Sequence, residues 1–596
     1  MYHAPTRDMQ FVIESVAGLD VLAQLDVFKE HELNAELLAA VLEEAAKLAD
    51  EVLAPLNQTS DKQPARMEHQ AVITSPGFAD AYRLFVDGGW NGLNGPIEFG
   101  GQGLPELVSF ATHEMWNSSS VSFALCPLLT AGAVEALKHH GSPELQQRYL
   151  PNLISGEWTG TMNLTEAQAG SDLSVVRTKA VPEGDYYRLY GQKVYITWGD
   201  HDVAENVIHL VLARTPDAPE GVKGISLFLV PKYLVNDDGS LGARNDVYSQ
   251  SLEHKLGIHG SPTCVMQFGD TEGAIGYLVG TENKGLAHMF TMMNEARLKV
   301  GLQGLAVSEC AYQMARDYAL TRVQGRRTGD RSGERVVIAE HPDVRRMLLT
   351  MKSLNQAMRG LCYSTARDLD LSRHQPNPTE RERHRRRLDL LTPVVKGWCT
   401  ELSNEITSLG IQVQGGMGYI EETGAAQYYR DARILTLYEG TTGIQANDLV
   451  LRKLGADNGA AMQALLDDLQ DCEQQLMSSN SPDLQLIHNA LVEGGATLTE
   501  ATDWMLRHLE TDLEAALGQA FNYLMLTGYV CGAWQMAKVA IAAQQGLARH
   551  DDPEYHQTQL VLARFYAEQI LPRSRALMRA VLQGNAQMMT LSHQQL

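Results

Sequence analysis

Leu164-Thr165-Glu166-Ala167-Gln168-Ala169-Gly170-Ser171-Asp172-Leu173 lies where this 596-residue chain changes its hydropathic period. Before it, apolar residues recur at helical spacing. After it, short strand-like runs begin. The segment gathers small hydroxyl residues, a glycine and two carboxylates. A loop of that composition can present backbone N–H groups and hydroxyls to the polar edge of a cofactor. On residue type alone, a surface turn is the default reading.

On the N-terminal side, residues 21–149 read as helical. Leu37, Leu38, Val41, Leu42, Ala45 and Leu48 mark one helix face within 36–53. A Gly-rich break at 95–103 interrupts the region, where the backbone turns tightly or approaches something closely. On the C-terminal side, 158–278 reads as strands. Residues 187–191 and 193–197 are expected to form two strands joined by a tight turn. Residues 207–212 read as a buried strand, and 224–230 as another that ends at Pro231. Short strands with regular turns predict an antiparallel sandwich or barrel.

Helical periodicity returns over 286–453, with a long helix expected over 289–321. Residues 455–459 read as a linker. Beyond it, Met462, Leu465, Leu466, Leu469 and Leu476 again follow one helix face. The domain boundaries that follow are 1–157, 158–280, 281–454 and 455–596, in keeping with a prior of about 150 residues per domain.

The chain carries 49 Lys+Arg against 72 Asp+Glu, a net charge of −23. Such a surface repels a nucleic-acid backbone. The seven cysteines form no CxxC pair and read as scattered core thiols rather than a metal site or disulfide framework. No metal is expected. Residues 1–26 contain one Arg and four acids, unlike a secretory or mitochondrial signal, so a cytoplasmic protein is expected. Residues 515–537 carry no charge for 23 positions, long enough to span a bilayer. They also contain Gln519, Asn522, Thr527 and Gln535, which favour a helix buried in a bundle over stable membrane insertion. The basic run Arg381, Arg383, Arg385, Arg386 and Arg387 is interrupted by acids and reads as a solvated helix start, with a phosphate or RNA contact as the alternative.

Two further motifs carry chemistry. In Tyr438-Glu439-Gly440-Thr441-Thr442-Gly443, a carboxylate sits between an aromatic residue and a glycine. In an apolar setting it can serve as a base; as a solvated Glu it is a turn or helix cap. Gln412-Val413-Gln414-Gly415-Gly416-Met417-Gly418 permits close approach of backbone to a phosphate or another chain. It follows no predicted strand, so it is not a dinucleotide fingerprint.

In their order and context these motifs resemble the acyl-CoA dehydrogenases. The resemblance spans about two thirds of the chain. It also includes Glu98-Phe99-Gly100-Gly101-Gln102-Gly103, Gly156-Glu157, Ile196-Thr197, Lys255-Leu256-Gly257 and Arg322-Val323-Gln324. The additional N-terminal segment and the extension beyond Leu454 resemble the long bacterial branch of that family. The implied fold is multidomain α+β: an N-terminal helical domain, a middle antiparallel β-domain, a C-terminal four-helix bundle and an extra C-terminal helical domain. FAD is implied between the β-domain and the bundle, with contacts from a neighbouring subunit.

By motif position, Glu439 matches the catalytic base, which removes the α-proton while the flavin takes a hydride from the β-carbon. The backbone N–H of Glu439 and a flavin hydroxyl are implied to hold the thioester oxygen. Leu164, Thr165, Ser171, Thr197 and Thr441 match flavin contacts. Arg322 and Gln324 match ligands of the partner subunit's pyrophosphate, and Gln412 and Gly416 match contacts to its ADP half. Ser171, Arg297 and Gly440 match substrate contacts. Tyr195, Trp198, Gly325 and Gly443 depart from the family pattern. Ala296 cannot act at the alternative base position, and Glu295, one residue away, is a minor candidate.

The activity implied is FAD-dependent α,β-dehydrogenation of a medium- or long-chain acyl-CoA to the trans-2-enoyl-CoA, the first step of fatty-acid β-oxidation. Electrons would pass to electron-transfer flavoprotein, and the extension favours a homodimer. The alternative is a 3-methylmercaptopropionyl-CoA dehydrogenase, since sulfur for methylene is nearly isosteric. An acyl-CoA oxidase and a DNA-associated flavoprotein are further alternatives. Against the last, residues 451–596 carry 9 Lys+Arg and 16 Asp+Glu.

Overall fold

A computed structural model describes residues 2–329, 332–584 and 588–596. The chain forms two compact units, one of Glu44–Leu104 with Met115–Lys299, the other of Tyr2–Glu43, Pro105–Glu114 and Val300–Leu596.

The first unit is built around an eight-stranded sheet. Its strands are β1 (Trp158–Asn163), β2 (Lys179–Glu183), β3 (Tyr186–Thr197), β4 (Asn206–Ala213), β5 (Ser226–Pro231), β6 (Val247–Leu252), β7 (Thr263–Phe268) and β8 (Ala274–Leu278). The spatial order is β6-β7-β3-β8-β5-β4-β1, with β2 also paired to β3. Every residue of β4 and of β5 is buried, which explains their unbroken apolar character. Helix α1 (Val121–His140) and the helix Pro143–Ser155 supply Leu129, Ala133, Leu150 and Ile154 to a core shared with Trp158, Ile208 and Leu227. A second core, on Ala180, Ile196, Val211, Phe228 and Phe268, takes the alternate side chains of the same strands. α1 is long and apolar enough to cross a membrane, but 89% of its apolar window is buried inside the fold.

Two expectations need correction. The sheet is not wholly antiparallel, because β1 and β4 run parallel from Trp158↔Asn206 to Asn163↔Val211. The long excursion through β2 and β3 between them supplies the crossover that parallel pairing requires. Residues 187–197 are not two strands with a tight turn but one strand, β3. Gly191 stays in the strand, pairing with Phe268, because Thr178 packs directly against it. A Cβ at Gly191 would lie 2.6 Å from the Thr178 hydroxyl, so this glycine marks a close approach, not a turn.

In the second unit, the helix α2 (Gly285–Thr321), which begins in the first, is followed by α3 (Pro342–His374), α4 (Pro378–Gln414), α5 (Ala425–Leu435) and α6 (Thr442–Asn447). The turns at 455–459 lead into α7 (Ala460–Met477), α8 (Pro482–Thr511), α9 (Leu513–Ala548), α10 (Pro553–Phe565) and α11 (Arg573–Gln583). The uncharged 515–537 stretch is the middle of α9 and is buried on nearly all sides. Most of its polar atoms are partnered: Gln519 donates to the Gly584 carbonyl at 3.1 Å, Thr527 to the Tyr523 carbonyl at 2.8 Å, and Gln535 Oε1 accepts from Ser364 at 2.9 Å, while Gln535 Nε2 is buried with no bond among the described residues. These bonds remove the cost of burying amides and hydroxyls.

The basic run forms the first turns of α4 and is largely spent internally. Arg385 and Arg386 bond Glu382, at 2.6 and 2.8 Å, and Arg387 bonds Asp368 of α3 at 2.6 Å and Asp468 of α7 at 2.7 Å. Arg383 also pairs with Asp468. All seven cysteines are buried and unbridged.

Candidate functional site

In the first unit, the loop after β1 is organised from beneath by one ion pair. Lys193 of β3 is fully buried, and its Nζ donates to Glu166 Oε1 at 2.8 Å and to the Leu164 carbonyl at 3.0 Å. Glu166 also accepts from the backbone N–H groups of Arg177 (2.8 Å) and Thr178 (3.0 Å), the Thr178 hydroxyl (2.6 Å) and Gln168 Nε2 (2.6 Å). Burial raises the Glu166 carboxyl, but the charge of Lys193 and the donated bonds outweigh it and hold it down at about 2. The Thr165 carbonyl is taken by the Val194 N–H at 2.9 Å. Leu164 and Thr165 are thereby fixed at the end of β1, and Ser171 is left exposed farther along the loop.

Thr197 closes β3 opposite Thr263. Just before it, Val194 and Tyr195 together face the single residue Val265, a β-bulge. Tyr195 is held there at φ +60° with its side chain 64% exposed. Trp198, also at positive φ, is turned inward, stacked on Phe78, with its indole N–H on the Ser122 carbonyl at 2.9 Å. Two strained non-glycine residues flanking Thr197 are the kind of backbone outlier that clusters at working sites. Arg297 on α2 is buried, bonded to Asn294 at 3.3 Å and lying over the Phe290 ring. Glu295 is tied to Lys299 at 2.7 Å, both buried, which leaves it poorly suited to act as a base.

In the second unit, Glu439 occupies the turn between α5 and α6. It sits at φ +55° and Gly440 at φ +89°, two consecutive left-handed residues. A side chain at Gly440 would also meet Gln445. The turn is pinned from outside: Gln445 Nε2 donates to the Glu439 carbonyl at 3.0 Å and the buried Lys396 Nζ donates to the Gly440 carbonyl at 2.6 Å. The Tyr438 hydroxyl bonds Gln303, and Thr442 donates to Glu401 at 2.5 Å. Thr441 caps α6 by accepting the Ile444 N–H at 3.3 Å. With both carbonyls anchored, the Glu439 carboxylate is half-buried in a strained but fixed conformation.

The other predicted residues of this unit lie elsewhere. Arg322 precedes and Gln324 lies within an exposed strand, Val323–Arg326, paired with Arg335–Val337 and anchored by the Ile338 N–H on the Arg322 carbonyl and by His341 on the Gln324 carbonyl. Gln412 and Gly416 are exposed at the C-terminal end of α4, about 24 Å along the helix from Lys396. There Gly415 leaves the helix at φ +60° and open space surrounds it and Gly416. Glu439, Gly440 and Thr441 thus form one local constellation, and the two nucleotide-type motifs form separate surfaces.

Models of the acyl-CoA dehydrogenase N-terminal, middle and C-terminal domains match residues 36–157, 161–271 and 283–454, and an acetyl-CoA dehydrogenase C-terminal-like model matches 459–592. The chain belongs to the acyl-CoA dehydrogenase family. It is 46% identical over 571 residues to the 3-methylmercaptopropionyl-CoA dehydrogenase of Ruegeria pomeroyi, covering 96% of each chain. It is 35% identical to a butyryl-CoA dehydrogenase of Syntrophomonas wolfei, over 95% of this chain and 94% of that one. Its fold superposes with a TM-score of 0.73 on an acyl-CoA dehydrogenase from Bacillus anthracis solved with FAD, at 19% identity, covering 98% of this chain and 92% of that one.

This acyl-CoA dehydrogenase also uses residues that the sequence reading did not single out. Lys193 holds the loop through Glu166 of the 164–173 motif, and Lys396 and Gln445 hold the Glu439 turn. Lys396 had a signal: it is the lone charge in the otherwise uncharged and mostly apolar run 390–398. A charge placed there is expensive unless it has a fixed partner.

Proposed function

We propose that this enzyme catalyses FAD-dependent α,β-dehydrogenation of 3-methylmercaptopropionyl-CoA. The supporting observation is the 46% identity, over 96% of each chain, to the Ruegeria pomeroyi dehydrogenase of that substrate. That identity supports the thioether acyl-CoA over the medium- or long-chain substrates that the motifs alone favour. Sulfur in place of a methylene changes a chain little in volume, so short straight-chain acyl-CoAs are the second reading, in line with the butyryl-CoA dehydrogenase relative.

The residues present fit FAD. Open space around Gly415 and Gly416, and a buried Gln414 Nε2 with no bond among the described residues, suit close approach of a phosphate-bearing group. Leu164, Thr165, Ser171, Thr197 and Thr441 are the contacts assigned to its ring system, and Arg322, Gln324, Gln412 and Gly416 those assigned to its pyrophosphate and ADP. When bound, FAD accepts the β-hydrogen with its electron pair.

The protein's share is the other half of the step. Glu439 takes the α-proton, and the Glu439 N–H stabilises charge on the thioester oxygen as the C–H bond breaks. Anchoring of the Glu439 and Gly440 carbonyls fixes both groups before substrate arrives. Arg297, Ser171 and Gly440 are assigned to the substrate. Two protons and two electrons leave, and the product is the α,β-unsaturated thioester. Electron-transfer flavoprotein is the assigned acceptor, a homodimer the assigned assembly and the cytoplasm the assigned compartment.

Anaerobic titration of the purified flavoprotein with 3-methylmercaptopropionyl-, butyryl- and octanoyl-CoA tests the reading. The thioether and butyryl thioesters should bleach the visible flavin band, and Glu439→Gln should abolish bleaching while retaining flavin. Bleaching by octanoyl-CoA alone would overturn the substrate, and unchanged bleaching in Glu439→Gln would overturn the base.

A further inference from the structure

Away from the Glu439 turn, the second unit contains a cavity of about 500 Å³ between the first turns of α4 and α7. The volume suits a small organic ligand. Its walls differ in chemistry. Arg383, Arg386 and Arg387 of α4 form one side; Ala460, Ala464 and Leu465 of α7 form the other. Glu382 and Asp468 are the acids in the lining.

The arginines are not equivalent. Arg383 and Arg387 converge on Asp468, and Arg387 also bonds Asp368, so both are structural. Arg386 uses its Nε on Glu382 at 2.8 Å, and no other bond to it exists among the described residues. Its side chain stays 55% exposed. Behind this wall Arg367 bonds Asp368 at 3.2 Å, and Lys538 of α9 is bonded to Ser364 at 3.3 Å. Burial, with Arg367 and Arg387 nearby, holds the Lys538 ammonium down at about 7. Asp368 and Asp468 offset Arg367, Arg383 and Arg387 here, which leaves Arg386, bonded only through its Nε, as the guanidinium with donors to spare in the lining.

We propose that the cavity binds an organic phosphate, with the phosphate on the free fork of Arg386 and the apolar part of the ligand against Ala464 and Leu465. Guanidinium is suited to this because its N–H groups match phosphate oxygens two at a time. A wall of alanines and one leucine offers no hydrogen bonds and accommodates a flat or aliphatic group. The site is separate from the residues assigned to dehydrogenation and does not rest on that assignment.

Calorimetric titration of the full-length flavoprotein with ADP and with inorganic pyrophosphate tests this, alongside Arg386→Gln, Ala464→Phe and Arg381→Gln. Arg381 belongs to the same basic run but does not line the cavity; it bonds the Gln375 carbonyl at 3.3 Å. One ADP-binding component should weaken at least about ten-fold in Arg386→Gln and in Ala464→Phe and persist in Arg381→Gln. ADP should bind more tightly than pyrophosphate, and acyl-CoA bleaching should be unchanged in Arg386→Gln. Absence of ADP binding, equal binding in all variants, equal loss in Arg381→Gln, or pyrophosphate binding as tightly as ADP would each overturn the proposal.

Discussion

Lys193 and Glu439 solve one problem by different means. Lys193 supports a loop from the neighbouring strand β3 and Glu439 lies in a turn; each of these segments must stay in a single shape, and each is fixed from the protein side. For the 164–173 loop the fixing group is a buried charge pair, whose members are costly to separate. Lys193→Met leaves Glu166 buried without its cation and should cost about 3–5 kcal/mol, measured as a lower urea midpoint. Flavin should be lost together with the loop. The acid side follows from the same geometry. Glu166 titrates near 4.5 in an unstructured chain and at about 2 when folded, because Lys193 and the donors outweigh its burial. The unfolded chain therefore binds the proton first as pH falls, so the contribution of Glu166 is complete above about pH 4.5 and is lost toward pH 2. Urea unfolding at pH 7, 4 and 3 should show this loss in wild type and a shallower one in Glu166→Gln.

At the level of elements, glycine on a helix has two opposite consequences, and contact distance decides between them. Replacing a helical glycine by alanine gains up to about 1 kcal/mol from backbone propensity. At Gly528 on α9, a Cβ would lie 2.2 Å from the Trp398 ring, which is fully buried and cannot yield. Overpacking of about 1–3 kcal/mol then exceeds the propensity gain, and Gly528→Ala should lower the melting temperature. At Gly495 on α8, the nearest atom is the Glu473 carboxylate at 3.6 Å, so Gly495→Ala should raise it. Both are read by calorimetry. The sequence makes α9 legible as a buried helix from its uncharged run, but not which helices it touches. The same limit applies at Gly191: composition suggested a turn, whereas the packing of Thr178 made it part of a strand. The β1–β4 parallel pair was also not legible, because strand direction depends on partners distant in sequence. The Glu439 motif was legible, since a carboxylate beside glycine in a fixed motif order is local. Its anchors Lys396 and Gln445 were not, because hydrogen bonds across helices leave only a lone polar residue in an apolar run.

For the whole molecule, the extra C-terminal helical domain beyond Leu454 packs into the same compact unit as the bundle before it. The α9 helix lies on the surfaces that α3 and α4 present. Trp398 packs around Gly528 and Tyr529, Leu524 fills the space at Gly397, and Gln535 sits over Gly360 while accepting from Ser364. Arg573 of α11 bonds Glu405 of α4 through both Nη groups at 2.8 Å. Each large apolar side chain uncovered by removing this layer forfeits about 1.5–3 kcal/mol. Net stability is only about 5–15 kcal/mol, so the loss of several such contacts is enough to unfold the unit. A chain ending at Leu454 should therefore be insoluble or bind a hydrophobic dye strongly, although the family residues at Glu439 and Gln412 remain present. Soluble, flavin-loaded truncated protein with a cooperative melt would show that the extension is dispensable. The expected dependence also bears on the basic run of α4. Arg383 and Arg387 pair with Asp468 of α7, which makes them an electrostatic seam between the bundle and its extension.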